Sequence, residues 1–119
     1  MPEYTGSCHC GSVRFSFRTD APIESALRCN CSMCARKGAP MSTIVFDPEE
    51  LHIKADDDAL GLYQFGARTA KHFFCRNCGI YPFHETARVP GKYRVNLGCI
   101  DELDSVNLPF EVFDGRHKL

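Results

Sequence analysis

The chain has 119 residues and a formal net charge of −1. A chain of this length is typical of one domain over residues 1–119, and the near-neutral charge lacks the basic stripe of a nucleic-acid-binding protein. It contains no apolar run of the roughly 18 residues that a membrane span requires. Met1–Tyr4 shows no signal-peptide pattern, so we expect a cytoplasmic protein.

Eight cysteines are a high number for a chain of this length. A disulfide scaffold is one interpretation, but tight cysteine pairs without a signal peptide favour metal ligands, above all for zinc. A thioredoxin-like redox motif would need a βαβ context, which the flanking sequence does not show. The cysteine groups are Cys8-x-Cys10, Cys29-x-Cys31-x-x-Cys34 and Cys75-x-x-Cys78.

The N-terminal part of the chain predicts two strands and a helical turn. Polar and apolar residues alternate strictly over residues 12–18, which predicts a half-buried strand. Residues 25–30 can form the return strand that carries Cys29. Residues 32–37 are predicted to wind into one short helical turn, with Gly38 as its stop.

The rest of the chain predicts further short strands and no helical segment of convincing length. Short strands with turn signals about every ten residues favour an all-β domain of antiparallel sheets. The predicted strands cover residues 41–46, 51–54, 60–65, 69–74, 92–97 and 109–113, and residues 115–119 are predicted to be a polar tail.

The outer two cysteine pairs predict one closed metal site. Residues i and i+2 of a strand face the same way, so Cys8 and Cys10 could offer two thiolates to one metal. Cys75 and Cys78 read as a two-ligand knuckle that Gly79 closes. Joined, the pairs would form a four-thiolate zinc site, whose binding free energy is largely folding free energy.

The middle cysteines, Cys29, Cys31 and Cys34, predict a different kind of site. A catalytic zinc usually takes three protein ligands and leaves its fourth position open. We expect such an open site here, with neighbouring cations that partly offset the negative charge and could hold a carboxylate of an incoming ligand. These cations are Arg28, Arg36 and Lys37.

Cysteine spacing alone leaves two alternatives open. Cys99 could be a fourth thiolate that closes the middle site, or Cys8 and Cys10 could complete a site with two of the middle cysteines. Tyr81 and Tyr93 are expected to pack in the core or at a rim rather than to donate protons. The histidines are expected in surface or core roles rather than as ligands: His9, His52, His72, His84 and His117.

The combined cysteine order resembles that of the glutathione-dependent formaldehyde-activating enzyme family, which also contains centromere protein V. The resemblance covers nearly the whole chain, and it implies a fold of folded-over antiparallel sheets, a β-tent, stabilised by zinc. The motifs that carry it are Gly6-Ser7-Cys8-His9-Cys10-Gly11-Ser12-Val13-Arg14-Phe15, Cys29-Asn30-Cys31-Ser32-Met33-Cys34 and Phe74-Cys75-Arg76-Asn77-Cys78-Gly79.

The resemblance also implies a site assignment and an activity. It implies two zinc ions per chain, one structural on the four outer cysteines and one at the active site on the middle three. The implied activity is a carbon–sulfur lyase reaction that adds glutathione to formaldehyde, giving S-hydroxymethylglutathione. An open zinc could take a thiolate as its fourth ligand or polarise an aldehyde oxygen. The alternative is a zinc-binding module without catalysis, for protein or chromatin interaction.

Overall fold

The computed structural model describes residues 1–118, and Leu119, the end of the predicted polar tail, lies outside the described residues. Short strands dominate the described chain, and no helix in it is long and apolar enough to cross a membrane. The elements are β1 (Glu3–Ser7), β2 (Val13–Arg18), β3 (Ala26–Cys29), α1 (Ser32–Lys37), β4 (Met41–Ser42), β5 (His52–Ala55), β6 (Leu60–Tyr63), β7 (Lys71–Cys75), β8 (Phe83–Glu85), β9 (Tyr93–Val95), β10 (Phe110–Phe113) and α2 (Gly115–Lys118), with short 3₁₀ turns at Leu97–Cys99 and Ser105–Asn107.

The strands form three small sheets. Two are antiparallel throughout, in the orders β1-β2-β5 and β6-β7-β8-β9, and the third has the order β10-β3-β4. In the third sheet β3 pairs antiparallel with β4 but parallel with β10. The prediction of antiparallel sheets is confirmed, with this one parallel pair as the exception. The parallel pair involves strands far apart in sequence, whose direction no hairpin turn fixes.

The core lies under the inner face of β2, as the alternation predicted. Val13, Phe15 and Phe17 are all buried, while the residues between them are more exposed. The ring of Phe15 meets that of Phe83 edge to face at 5.9 Å, and the ring of Phe17 lies 4.7 Å from that of Phe46. The first pair joins the sheet of β2 to the one that carries β7 and β8, and the second joins it to the segment that follows β4.

The predicted strand over residues 41–46 is shorter in the structure. Regular pairing covers only β4, and Phe46 returns as an isolated bridge to Tyr93. The buried guanidinium of Arg94 donates hydrogen bonds to the carbonyl oxygens of Ser42 and Thr43, both at 2.9 Å. Those carbonyls are therefore satisfied by a side chain, so a continued strand is not needed.

The predicted polar tail contains a short helix, α2, over its described part. The backbone N–H of Lys118 donates to the carbonyl oxygen of Asp114 at 3.0 Å. The side-chain oxygen of Asn30 accepts from the backbone N–H of Arg116 at 2.8 Å. This contact, with the hydrogen bond that the Asn30 amide donates to Asp114, holds the end of the described chain against the segment that follows β3.

Candidate metal centres

Two turns from different sheets bring four cysteines together. Cys8 and Cys10 lie in the β1–β2 turn, Cys75 ends β7, and Cys78 lies in the turn after it. Their four Sγ atoms all lie within 4.8 Å of one another. Cys10 Sγ is 3.7 Å from Cys8 Sγ and 3.6 Å from Cys75 Sγ. Tetrahedral zinc with Zn–S near ~2.3 Å places its sulfurs roughly 3.8 Å apart, so the spacing fits zinc.

The predicted reason for the convergence of Cys8 and Cys10 is wrong, because the two residues do not share a strand. β1 ends at Ser7, and the backbone N–H of Gly11 donates to the carbonyl oxygen of Cys8 at 3.3 Å in a tight turn. Gly11 has φ of 85°, in the left-handed region that glycine enters without steric cost. The turn, and not strand alternation, directs the two thiols to one side.

The electrostatics of the four-cysteine cluster favour a bound cation. Hydrogen bonds to Ser12 lower the pKa of the Cys10 thiol. Burial acts to raise the pKa of Cys78, but backbone N–H groups of Cys10 and Ile80 outweigh it, and the pKa falls to about 6. Burial raises the pKa of Cys75 to about 11. Four thiolates at this spacing repel one another, and a divalent metal offsets that repulsion.

The middle three cysteines converge at the start of helix α1. Cys29 ends β3, Cys31 is the N-cap residue of α1, and Cys34 lies in its first turn. Their Sγ atoms lie within 4.8 Å of one another. The backbone N–H of Cys34 donates to Cys31 Sγ at 3.4 Å, and that of Cys31 to Cys29 Sγ at 3.5 Å. The predicted helical turn and its stop are confirmed, since Gly38 is left-handed and its N–H donates to the carbonyl oxygen of Cys34.

The three middle thiols are only partly buried, and their protonation is uneven. Burial raises the pKa of Cys34 to about 12. Burial also acts to raise the pKa of Cys31, but the backbone N–H and thiol of Cys34 outweigh it and lower that pKa. Within residues 1–118, no further cysteine, histidine or carboxylate joins this group at ligand spacing. The cluster therefore has the three-thiol composition of an open site.

The structure does not bring Cys99 to the middle cluster. Cys99 is buried, and its Sγ faces the carbonyl oxygen of Tyr81 at 3.9 Å. Burial raises the pKa of Cys99 to about 12, and the nearby thiols of Cys8 and Cys78 add to the effect. Cys99 thus lies beside the four-cysteine cluster. The other alternative, in which Cys8 and Cys10 complete the middle site, also finds no counterpart in the geometry.

Two of the three predicted cations donate to backbone carbonyl oxygens within residues 32–38. The guanidinium of Arg28 donates to the carbonyl oxygen of Gly38 at 2.8 Å and lies 5.0 Å from the centre of the Phe110 ring. The exposed Arg36 donates to the carbonyl oxygen of Ser32 at 2.9 Å. Neither contact points to an incoming ligand.

Lys37 belongs to a group of side chains that sequence reasoning missed. Its Nζ is 2.6 Å from His72 Nδ1 and 3.6 Å from the centre of the Tyr81 ring, whose hydroxyl hydrogen-bonds His84 Nδ1. Both histidines are buried, at 6% and 7% exposure. We call Lys37, His72, Tyr81 and His84 the Lys37 cluster. The sequence carries no direct signal for this group, because the pairing of His72 with His84 and the approach of His72 to Lys37 are set by the packing of distant segments.

Burial favours the neutral forms of three side chains in the Lys37 cluster: Lys37, His72 and His84. Burial lowers the pKa of Lys37 to about 8, although the thiols of Cys34, Cys31 and Cys29 act in the opposite direction. Burial, and then the charge of Lys37, lowers the pKa of His72 to about 4 and that of His84 to about 2. Both histidines are therefore neutral at pH 7, and His72 Nδ1 can accept a hydrogen bond from Lys37.

The Lys37 cluster borders a cavity of about 400 Å³ between α1 and β7. Met33 and Lys37 line it from the helix, and His72 and Phe74 line it from the strand. A larger surface depression of about 1000 Å³ lies beside β1 and β2, and no residue of α1 lines it; no cysteine lines either cavity. The smaller cavity is the one beside the middle cysteines, because α1 carries Cys34 as well as two residues that line the cavity, Met33 and Lys37.

Fold and clusters together define a small β protein with two groups of cysteines that could hold a metal ion, one of four thiols and one of three. The family model of the glutathione-dependent formaldehyde-activating enzyme matches residues 3–116. This chain belongs to that family, and the predicted resemblance is confirmed.

The chain is also similar to a curated protein and to a solved structure. A protein of Schizosaccharomyces pombe named as an uncharacterized lyase is 22% identical over 112 residues, which is 94% of this chain and 79% of the relative. A crystal structure of a Rhodobacter sphaeroides protein matches with a TM-score of 0.73 and 37% identity, over 90% of this chain and 99% of that one. The prediction of an enzyme of the formaldehyde-activating lyase type is thereby confirmed at family level.

Proposed function

We propose that this protein adds the thiol of glutathione, or of a similar small thiol, to formaldehyde or a similar small aldehyde. The observation that carries the proposal is the middle cluster. Its three thiols lie within 4.8 Å of one another, and no further ligand-type side chain joins them in the described chain. In a member of a formaldehyde-activating family, such a cluster suits an open catalytic metal.

We further propose two zinc ions per chain in a single domain of residues 1–119. The four-cysteine cluster would hold a structural zinc, which its sulfur spacing and its N–H donors fit. Cys29, Cys31 and Cys34 would hold the second zinc. When bound there, zinc would lower the pKa of an incoming thiol and polarise an aldehyde oxygen.

The protein's own residues would position the reactants rather than carry out a demanding acid–base step. The reaction forms a sulfur–carbon bond and breaks the π bond of the aldehyde, and the thiol's proton ends on the former carbonyl oxygen. Thiols add to formaldehyde readily without help, so the protein needs only to bring sulfur and carbon together. The partly exposed middle cluster gives both reactants access, while the Lys37 cluster supplies a cation at its side.

The test is an exchange measurement on zinc-loaded protein under reducing conditions. Magnetisation-transfer NMR would report how fast formaldehyde and S-hydroxymethylglutathione interconvert with and without protein. We expect faster exchange with the wild-type chain and no acceleration with Cys31→Ser. Acceleration that survives this substitution would overturn the proposed site.

A binding experiment tests the same proposal without turnover. Calorimetric titration should show that glutathione binds much more tightly than S-methylglutathione, because methylation blocks the sulfur. Affinity should also fall as the pH drops from 8 to 6, since the sulfur must lose its proton to bind a metal. Equal affinity for the two compounds would show that sulfur does not reach the middle cluster.

A further inference from the structure

We propose that Lys37 binds a carboxylate of the thiol substrate, and that the cavity between α1 and β7 holds the substrate's acidic end. The inference rests on the proposed function, because it places the far end of a thiol whose sulfur lies at the middle cluster. It assigns a specificity-determining role to one of the three predicted cations and leaves the other two without such a role.

None of the three flanking cations has a carboxylate partner within residues 1–118, and Lys37 is the one that also has no backbone carbonyl partner there. Five salt bridges are found across residues 1–118, and none of them includes Lys37. Arg28 and Arg36 already donate to the backbone carbonyls of Gly38 and Ser32. A partly buried ammonium that lacks a carboxylate partner has lost hydration without full compensation, and an anionic ligand can supply it.

The ammonium of Lys37 is held in a defined place. The Nδ1 atom of the neutral His72 ring accepts its hydrogen bond at 2.6 Å, and the face of the Tyr81 ring lies below it at 3.6 Å. The His72 ring is itself fixed by stacking on Phe65, with 5.7 Å between centroids. A long lysine side chain that is already ordered loses less conformational entropy when it binds a ligand.

The cavity suits the acidic end of a small thiol. Its volume of about 400 Å³ falls within the roughly 300–1,000 Å³ usual for small-molecule sites. No acidic side chain lines it in the described chain, and Met33 and Ile80 supply apolar wall. Lys37 follows Cys34 by three residues on α1, so the two side chains lie on one face of the helix.

A second explanation of Lys37 is that it offsets the negative charge of three thiolates. The thiols of Cys34, Cys31 and Cys29 do act on the Lys37 ammonium. The two explanations differ in what they predict for a ligand without carboxylates. A charge-balancing lysine matters equally for every thiol, whereas a carboxylate-binding lysine matters only for thiols that carry the carboxylate.

The experiment compares glutathione with glutathione diethyl ester, which keeps the thiol and lacks both carboxylates. Zinc-loaded wild type, Lys37→Met and Lys37→Gln are titrated by calorimetry, with Arg36→Met as the matched control on the same helix. For both Lys37 variants we expect glutathione affinity to fall about tenfold or more, the scale of a lost charge-assisted contact, and the diester to change less than about twofold. Arg36→Met should change neither.

His72 is a positioning residue in this proposal, and its variants have a distinct readout. His72→Asn keeps an acceptor near the position of Nδ1 and should keep most of the preference for glutathione over the diester. His72→Leu removes the acceptor and should reduce that preference. Zinc content and near-ultraviolet circular dichroism confirm that each variant is folded and loaded, and Lys37→Gln serves if Lys37→Met fails this check.

Three results would overturn the inference. The first is an equal loss for glutathione and the diester in the Lys37 variants, which shows that Lys37 balances the thiolates. The second is the same effect from Arg36→Met as from Lys37→Met. The third is equal wild-type affinity for glutathione and the diester. In this last case the proposed function still stands if the protein accelerates formaldehyde exchange, so the two failures are distinguishable.

Discussion

The structure predicts that the two cysteine clusters contribute unequally to stability. A zinc on the four outer cysteines would cross-link positions as far apart as Cys10 and Cys75, which are 65 residues apart in sequence. Treated like a disulfide, a cross-link over that span stabilises the fold by roughly 4 kcal/mol, against roughly 2 kcal/mol for the local loop closed at the middle cluster. We therefore expect Cys78→Ser to lower the free energy of unfolding by roughly 4 kcal/mol, a large part of the roughly 5–15 kcal/mol of a small domain.

The matched variant is Cys31→Ser, which should remain folded and lose only the middle metal. Urea unfolding followed by circular dichroism, with zinc content measured on the same samples, gives both quantities. Cys78→Ser should unfold or aggregate at low urea, while Cys31→Ser keeps one zinc and a cooperative transition. Equal destabilisation of the two variants would refute the division into a structural and a functional site.

Three further predictions follow from other parts of the fold. Elemental analysis of protein purified under reducing conditions should give two zinc ions per chain, and one or none would contradict the proposed metal content. Stability should fall as the pH drops below about 6.5, because the two histidines bind protons in the unfolded chain while burial keeps the folded pKa of His72 at about 4 and that of His84 at about 2. Between about pH 6 and pH 4 the slope should approach roughly 2.7 kcal/mol per pH unit, and His72→Gln should about halve it in urea titrations; an unchanged slope would contradict the role of His72. Gly6→Ala should cost about 1–3 kcal/mol, since a Cβ there would lie 2.4 Å from the buried Phe15 ring, and an unchanged urea midpoint would contradict that packing.

Local spacing predicted most of what is local in this fold. The three middle cysteines, the helical turn and its end at Gly38 follow from adjacent residues, because a short helix and its C-cap depend on nearby hydrogen bonds. The strict alternation around Phe15 likewise predicted which face of β2 is buried. In these segments local preference and tertiary packing favour the same structure, and so the sequence was informative.

Contacts between distant segments were not readable in the same way. The approach of His72 to Lys37 depends on how β7 packs against α1, and the position of Cys99 beside Cys8 depends on the 3₁₀ turn after β9. The parallel pairing of β10 with β3 is also set by the whole fold. Residue patterns give periodicity along an element, but they do not give the neighbours of that element.

Strand β7 links the two cysteine clusters mechanically. Its last residue, Cys75, belongs to the four-cysteine cluster, and its second residue, His72, contacts Lys37 beside the middle cluster. A metal at the outer cluster would therefore fix the strand that positions His72, and hence the ammonium that we propose to bind a carboxylate. Partial loss of the outer metal should weaken the preference for glutathione over its diester while the middle cluster still holds zinc. On these proposals, one short strand would couple the structural metal to substrate recognition, although the two clusters share no cysteine.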